Sequence, residues 1–292
     1  MTSFIYKGGE LFRVPLPGRA FLQPNPLKCP PQGYIIPSGL IFLFEVDMFR
    51  FLLIGLLTLS STCFAESYNS WYRYTAEDAQ RIIKEGFDVN STDDKGKPAI
   101  LYATLNENNP GVLTALLQAK ADPNATDKEG AFPLFLAAGQ NKKTTNIIAL
   151  LRAGADVNKT KEGVTPLMIA ANQNTNPRIL ATLIQGRANV NAKDDIGNTA
   201  LVHALVKKAP LSVINVLIRG KADVNVKCLG DATPLMIALH FHGNPEVIDA
   251  LLKAGADVKA KTKDGKTVLD YAQRNPAIVN SPIFAKLQAA AK

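Results

Sequence analysis

The chain has 292 residues, 47% of them hydrophobic and 20% charged, with a formal net charge of +8. Such a composition is ordinary for a folded soluble protein and is enough for one elongated domain or two compact ones. The basic residues are spread along the chain without an Arg/Lys stripe interleaved with aromatics, so nucleic acid is not an expected partner.

Residues 1–47 carry seven prolines, no repeat and no amphipathic period, and are read as a non-repetitive Pro-rich segment. Next come Met48-Phe49-Arg50, a short apolar run over 51–59, and the small-residue stretch Ser60-Ser61-Thr62-Cys63-Phe64-Ala65. One positive charge, an apolar core and small residues at 63 and 65 predict a signal peptide over 48–65, cleaved after Ala65. The uncharged run 51–65 is 15 residues long, short of the roughly 20 that span a bilayer. Stable membrane insertion after cleavage is therefore not expected. A lipid-modified Cys63 is disfavoured because Ser60-Ser61-Thr62 lacks the usual apolar residue. A signal peptide works at a chain's start, so translation is expected to begin at Met48, with residues 1–47 an upstream extension of the reading frame. Of Cys29, Cys63 and Cys228, only Cys228 would survive cleavage, so the mature chain could form no internal disulfide.

Trp71, Tyr72 and Tyr74 precede a helix containing Ile82-Ile83, and residues 66–92 are read as an N-terminal capping repeat. Beyond it the sequence repeats itself. Thr165-Pro166-Leu167-Met168-Ile169-Ala170 returns as Thr233-Pro234-Leu235-Met236-Ile237-Ala238, with Thr199-Ala200-Leu201 and Thr267-Val268-Leu269 at intermediate steps. A second string keeps pace: Gly154-Ala155-Asp156-Val157-Asn158, Lys221-Ala222-Asp223-Val224-Asn225 and Gly255-Ala256-Asp257-Val258-Lys259. The Asp/Asn position recurs at 88, 122, 156, 189, 223 and 257, in steps of 33 or 34. A fixed period of this length predicts a solenoid whose units bury their apolar faces only against neighbours.

Within residues 194–227, Asp194-Asp195-Ile196-Gly197-Asn198 predicts a turn with Gly197 at positive φ. Thr199 is expected to cap the helix that Ala200 begins, and Pro166 and Pro234 fill the equivalent first helical position. Ala103, Ala137, Ala170, Ala204, Ala238 and Ala272 share one slot, as expected where a neighbouring helix approaches closely. Asn109-Pro110, Asn176-Pro177 and Asn244-Pro245 predict the start of a second helix. Its inward face is assigned to Leu116-Leu117, Leu150-Leu151, Leu183-Ile184, Leu217-Ile218 and Leu251-Leu252. Gly86, Gly154, Gly186 and Gly255 are expected as left-handed helix stops. Ser281-Pro282 predicts a last helix over 283–291, within a C-terminal cap covering 276–292.

Together these strings resemble the ankyrin-repeat family over about residues 75–275. The resemblance implies an all-α ankyrin-repeat solenoid of helix-turn-helix units joined by β-hairpin loops, about six repeats over 93–275 plus terminal caps. The family's frequent His after Thr-Pro-Leu is absent: Leu101, Phe135, Met168, Val202, Met236 and Asp270 stand there. Its loss is expected to weaken hydrogen bonding between successive hairpins. The spacing from Thr to Asp is one residue longer than usual, which lengthens the inter-helix turn.

Other motifs are weaker. Asp264-Gly265-Lys266-Thr267 resembles the end of a phosphate-binding loop, but Ala260 stands where that loop needs Gly. His240-Phe241-His242 offers a metal pair with no third ligand nearby. Asn90, Asn124 and Asn158 fit glycosylation sequons, yet they sit on the repeating Asn. No catalytic, cofactor-binding or metal-ligating set stands out, so no cofactor and no enzyme activity are expected. The predicted function is a protein-protein interaction module: an exported, monomeric scaffold, periplasmic or secreted, binding a partner protein through its concave surface. A secreted effector acting on host proteins is the alternative, and an enzyme with a site scattered over repeats is a minor one. Candidate partner-binding residues are Ile196, Val206, Leu229, His240 and Phe241, apolar or aromatic in slots that elsewhere hold Lys128, Glu129, Gln140, Lys161, Glu162, Asn172 and Gln173.

Overall fold

Asparagine sets the repeat. In Asp-x-Asn, the first side chain folds back on the backbone: Asp88, Asp122, Asp156, Asn189 and Asp223 each accept the N–H of the Asn two residues on, at 2.8–3.1 Å. This fixes the Asn to face the next unit. In the computed structural model, which describes Ser3–Lys7, Glu10–Val14, Trp71 and residues 73–292, five asparagines then form a continuous ladder. Asn90, Asn124, Asn158, Asn191 and Asn225 donate Nδ2 to the carbonyls of Lys120, Gly154, Arg187, Lys221 and Gly255, at 2.9–3.3 Å. Their Oδ1 atoms accept the N–H groups of Asp122, Asp156, Asn189, Asp223 and Asp257, at 2.7–2.9 Å. Each amide thus satisfies one orphan carbonyl and one orphan N–H at a neighbouring helix end. Lys259 occupies the sixth slot and ends the ladder. The ladder ties successive units together at their helix ends, without those histidines.

Two layers of helices follow. The first-helix row runs α2 (Ala99–Thr104), α4 (Pro133–Gln140), α6 (Pro166–Gln173), α8 (Ala200–Val206), α10 (Pro234–Ile237) and α12 (Val268–Gln273). Helix α10 continues as a π-helical turn over Ala238–His242. The second row runs α1 (Ala76–Lys84), α3 (Pro110–Gln118), α5 (Thr145–Arg152), α7 (Pro177–Gln185), α9 (Leu211–Arg219) and α11 (Pro245–Lys253). Each row packs in sequence order, helix on next helix. Two short pieces close the end: α13 (Pro276–Val279) and α14 (Pro282–Ala291), the latter burying Ile283 and Leu287 against α11 and α12.

The core runs between the rows. All six recurring alanines are fully buried, as are Leu116, Leu150, Leu183, Leu217 and Leu251. Each buried Leu contributes roughly 1.5–3 kcal/mol. The second member of every expected pair, Leu117 through Leu252, is only half-buried, as are both Ile82 and Ile83. At the N-terminal end Trp71 is enclosed, with its ring 5.4 Å from Tyr74 and 5.1 Å from Phe87. Tyr72 lies outside the described residues, as does the segment 48–65.

Several local expectations change. Asn176 and Asn244 cap α7 and α11 through their side chains, whereas Asn109 does not cap α3; its N–H is taken by Asn106 Oδ1 at 3.0 Å. Thr165 and Thr267 cap their helices, but Thr199 and Thr233 do not, and their enclosed hydroxyls find no partner. Such a hydroxyl forfeits about 1–3 kcal/mol. Gly86, Gly154 and Gly255 are left-handed, but Gly186 is not: its φ is −74°, and Arg187 carries the turn at φ +69°. The turn always falls four residues before the ladder Asn, which puts Lys120, Arg187 and Lys221 in the left-handed region. Gly186 serves closeness instead, since a Cβ there would sit 2.8 Å from Leu151 Cδ1.

Apart from this solenoid, Ser3–Lys7 (β1) and Glu10–Val14 (β2) form an antiparallel pair with Lys7 opposite Glu10. The sequence pattern of 1–47 did not anticipate it.

Candidate functional site

Hairpins join each unit's second helix to the first helix of the next, and three of them are held by an Asp. Asp93, Asp127 and Asp194 each accept two backbone N–H groups of their own turn, at 2.7–3.1 Å. The remaining oxygen of two of them reaches the first helix: Tyr102 OH donates to Asp93 at 2.7 Å, and His203 Nε2 donates to Asp194 at 2.8 Å. Burial pushes the Asp93 carboxyl up, but the Tyr102 hydroxyl and the Lys97 and Lys95 amides outweigh it and leave it below the usual range. With His203 Nε2 donating, its Nδ1 is left to accept from Asn172 Nδ2 at 3.5 Å. One unit later the pair becomes apolar: Cys228 replaces the Asp and Ile237 replaces the His, clustering with Val202 and Val226. Burial raises the Cys228 thiol, with Lys193 acting weakly against it.

Against this frame the five candidate residues divide into two groups. Ile196 lies in a hairpin turn, its N–H held by Asp194 and its side chain 62% exposed. Leu229 opens the 3-10 turn Leu229–Asp231 of the next hairpin, where Gly230 and Asp231 both have positive φ; its side chain lies outside what the structure describes. The other three sit at the far ends of first helices. Val206 is the last residue of α8 and 39% exposed, and His240 and Phe241 lie in the π turn, Phe241 at 41%. The His240 ring stands edge-on to Phe241 at 4.6 Å and to Tyr271 at 6.2 Å. The length of α8, roughly 10 Å at 1.5 Å per residue, separates Ile196 from Val206. The sequence pattern gathered these residues into one patch; the helix between them makes two.

Exposure of these side chains is selective. Among the described residues the exposed large hydrophobics are Ile196, Val206, Phe241 and Val279, and the first three stand on two adjacent units. Tyr271 and Val279 were not anticipated. The π turn that presents His240 and Phe241 ends at Gly243, φ +66°, whose N–H bonds back to Ala238 five residues earlier. π turns of this kind are frequent at functional sites. A shallow hollow of about 390 Å³ adjoins Tyr271, lined also by Gly230, Ala232, Thr262, Lys263 and Asp264. A larger groove of about 750 Å³ lies on the opposite, second-helix side, along α11 between α9 and α14, and holds none of the candidates.

The weaker motifs resolve into architecture. Gly265 turns a hairpin at φ +80°, Lys266 pairs with Asp264 at 2.6 Å, and Thr267 caps α12. Lys266 and the Thr262 hydroxyl draw the Asp264 carboxyl down from 3.8 to about 2. His242 donates Nε2 to the Ala209 carbonyl at 2.9 Å, tying two units together. The amides of Asn90, Asn124 and Asn158 are engaged in the ladder. No helix among the described residues is long and apolar enough to cross a membrane.

Comparison with known proteins agrees with this geometry. A family model described as "Ankyrin repeats (3 copies)" matches residues 71–160, 100–194 and 134–228, and one described as "Ankyrin repeats (many copies)" matches 217–272. No curated protein sequence matches the chain. Among solved structures, the ankyrin repeat domain of human ASB11 is similar at TM-score 0.65 and 23% identity, covering 76% of this chain and 96% of that one. Ankyrin repeats are in general protein-protein interaction modules and typically non-enzymatic. With matched segments that together cover more than half of its length, and with the repeat, the ladder and the two helix rows in common register, the chain belongs to the ankyrin-repeat family.

Proposed function

We propose that this solenoid is an exported, monomeric scaffold that holds a partner protein on the face formed by its hairpins and first helices. The observation that carries the site is the placement of Ile196, Val206 and Phe241 in solvent on two neighbouring units, while among the described residues nearly every other large apolar side chain is enclosed or half-enclosed. Apolar side chains that do no packing and sit among polar ones mark a protein contact, and an aromatic among them is the expected hot spot. The separation into a hairpin group and a helix-end group suits a partner contacting both ends of the first helices. The exported location is supported by the charge, apolar length and small residues of 48–65.

A paired measurement on Phe241→Ala and Ile196→Ser tests the surface. Weakened capture of the partner from the native envelope fraction at unchanged melting temperature is the expected result. A melting temperature lower by several degrees with capture intact would assign both residues to packing. N-terminal sequencing of the exported protein tests location separately: a start at Glu66 is expected, and a retained segment 48–65 would overturn it.

A further inference from the structure

One column of the hairpin edge changes character halfway along the solenoid. Two residues after each ladder position stand Thr92, Thr126 and Thr160 in the first three units, then Lys193, Lys227 and Lys261 in the last three. All six are exposed, and the first and last of them form the equivalent bridges Thr92 to Pro98 and Lys261 to Thr267, so the slot is the same along the stack. The ladder itself fixes this register.

Three lysines of the first half are taken up by the fold: Lys97 lies over the Tyr102 ring, Lys128 donates to the Asp94 carbonyl, and Lys159 donates to the Asn124 carbonyl beside Phe132. Lys193, Lys227 and Lys261 make no side-chain hydrogen bond or ion pair with the described residues. Their acidic neighbours are largely committed: Asp194 to His203 and its own turn, Asp264 to Lys266, Asp270 to the cap of α12, leaving Asp195 and Asp231. Ile196 stands three residues beyond Lys193 on the same turn.

We propose that Lys193, Lys227 and Lys261, with Ile196 beside them, seat an extended acidic segment of a partner protein that carries one apolar residue. The proposal rests on the reading of this face as a partner surface and names the chemistry of what it holds. Stacked helices lie about 8–10 Å apart, and a chain in the extended polyproline-II form advances about 3.1 Å per residue with three residues per turn, so every third side chain returns to one face. A carboxylate at every third position therefore meets one ammonium per unit, and an apolar side chain next to it covers Ile196. Charge arranged in this way sets orientation and partner choice more than raw affinity.

The test uses a fluorescein-labelled peptide with Glu at every third position, Leu beside one Glu and Ser elsewhere. A control peptide carries the same residues with the Glu clustered at one end. Fluorescence anisotropy compares the wild-type protein, Ile196→Ser, and the triple variant Lys193→Thr/Lys227→Thr/Lys261→Thr, which installs the residue the same slot holds in the first three units. Preferential binding of the spaced peptide is expected, weakened about tenfold in the triple variant at low salt and by less in high salt. Ile196→Ser should weaken it at both salt concentrations. Equal binding of spaced and clustered peptides, or no loss in the triple variant, overturns the proposal. So does tighter binding to phosphatidylglycerol vesicles than to the spaced peptide. If partner capture depends on Phe241 while the triple variant loses nothing, the acidic seat fails and the broader surface reading stands; if capture depends on neither, both fail.

Discussion

Replacing Asn191 by Ala removes one rung of the ladder and leaves everything else in place. The Asn191 amide donates to Lys221 O at 3.0 Å and accepts from Asp223 N at 2.7 Å, joining the fourth ladder slot to the unit of the fifth. An intramolecular hydrogen bond of this kind contributes about 0.5–1.5 kcal/mol net. Both groups released by the substitution belong to exposed residues and can turn to water, which keeps each bond near the lower end. The expected loss is therefore about 1–2 kcal/mol. Urea unfolding followed by circular dichroism measures it, and hydrogen exchange localises it, since the Asp223 amide should lose protection first. Lys259→Ala is the matched control: it occupies the same slot, makes no side-chain bond to the elements that follow it, and should leave stability unchanged. If Asn191→Ala and Lys259→Ala unfold at the same urea concentration, the ladder contributes nothing and the units are held by apolar packing alone.

Lys221→Gly should stabilise the protein by about 0.5–1 kcal/mol, because a left-handed Lys costs about 1–2 kcal/mol and Gly returns part of that in chain entropy; a lower urea midpoint would refute the strain. Asp264 has a folded-state pKa below its unfolded value of 3.8, so its pair with Lys266 favours folding above that pH and is lost as pH falls towards about 2. A carboxyl NMR titration should give a midpoint near 2 that rises in Lys266→Ala; an unchanged midpoint would discard the pair. Deleting residues 194–227, one whole period, should leave a folded, shorter solenoid, because Asn191 then meets Gly255 O and Asp257 N in place of its former partners; loss of helical circular dichroism would argue for one indivisible core.

What the sequence reveals is whatever repeats along it. The buried alanine at 103, 137, 170, 204, 238 and 272 was legible because its slot admits no larger side chain in any unit. The ladder was not, since the Asn recurs visibly but its partners lie 29–32 residues away and are backbone atoms. Gly186 was misassigned for a related reason: two demands on glycine, close approach and positive φ, fall on adjacent residues, and Arg187 meets the second without being Gly. Thr233 stands in the same Thr-Pro-Leu-Met string as Thr165, yet only Thr165 bonds its helix. At the candidate surface, exposure of Ile196, Val206 and Phe241 followed from the slots they occupy. Their division into two groups required the helix between them to be placed.

An edge that offers paired donors and acceptors to the next unit also offers them to the next molecule. Head-to-tail docking of such edges does not close on itself and would propagate into filaments. Here the last slot carries Lys259, whose exposed ammonium has no amide oxygen to accept the next N–H. Helix α14 is fixed over α11 by Lys286 bonded to Asp249, which also pairs with Lys253 at 2.7 Å. A lysine in the last slot and a covered end of the second helix row both oppose such propagation at this edge.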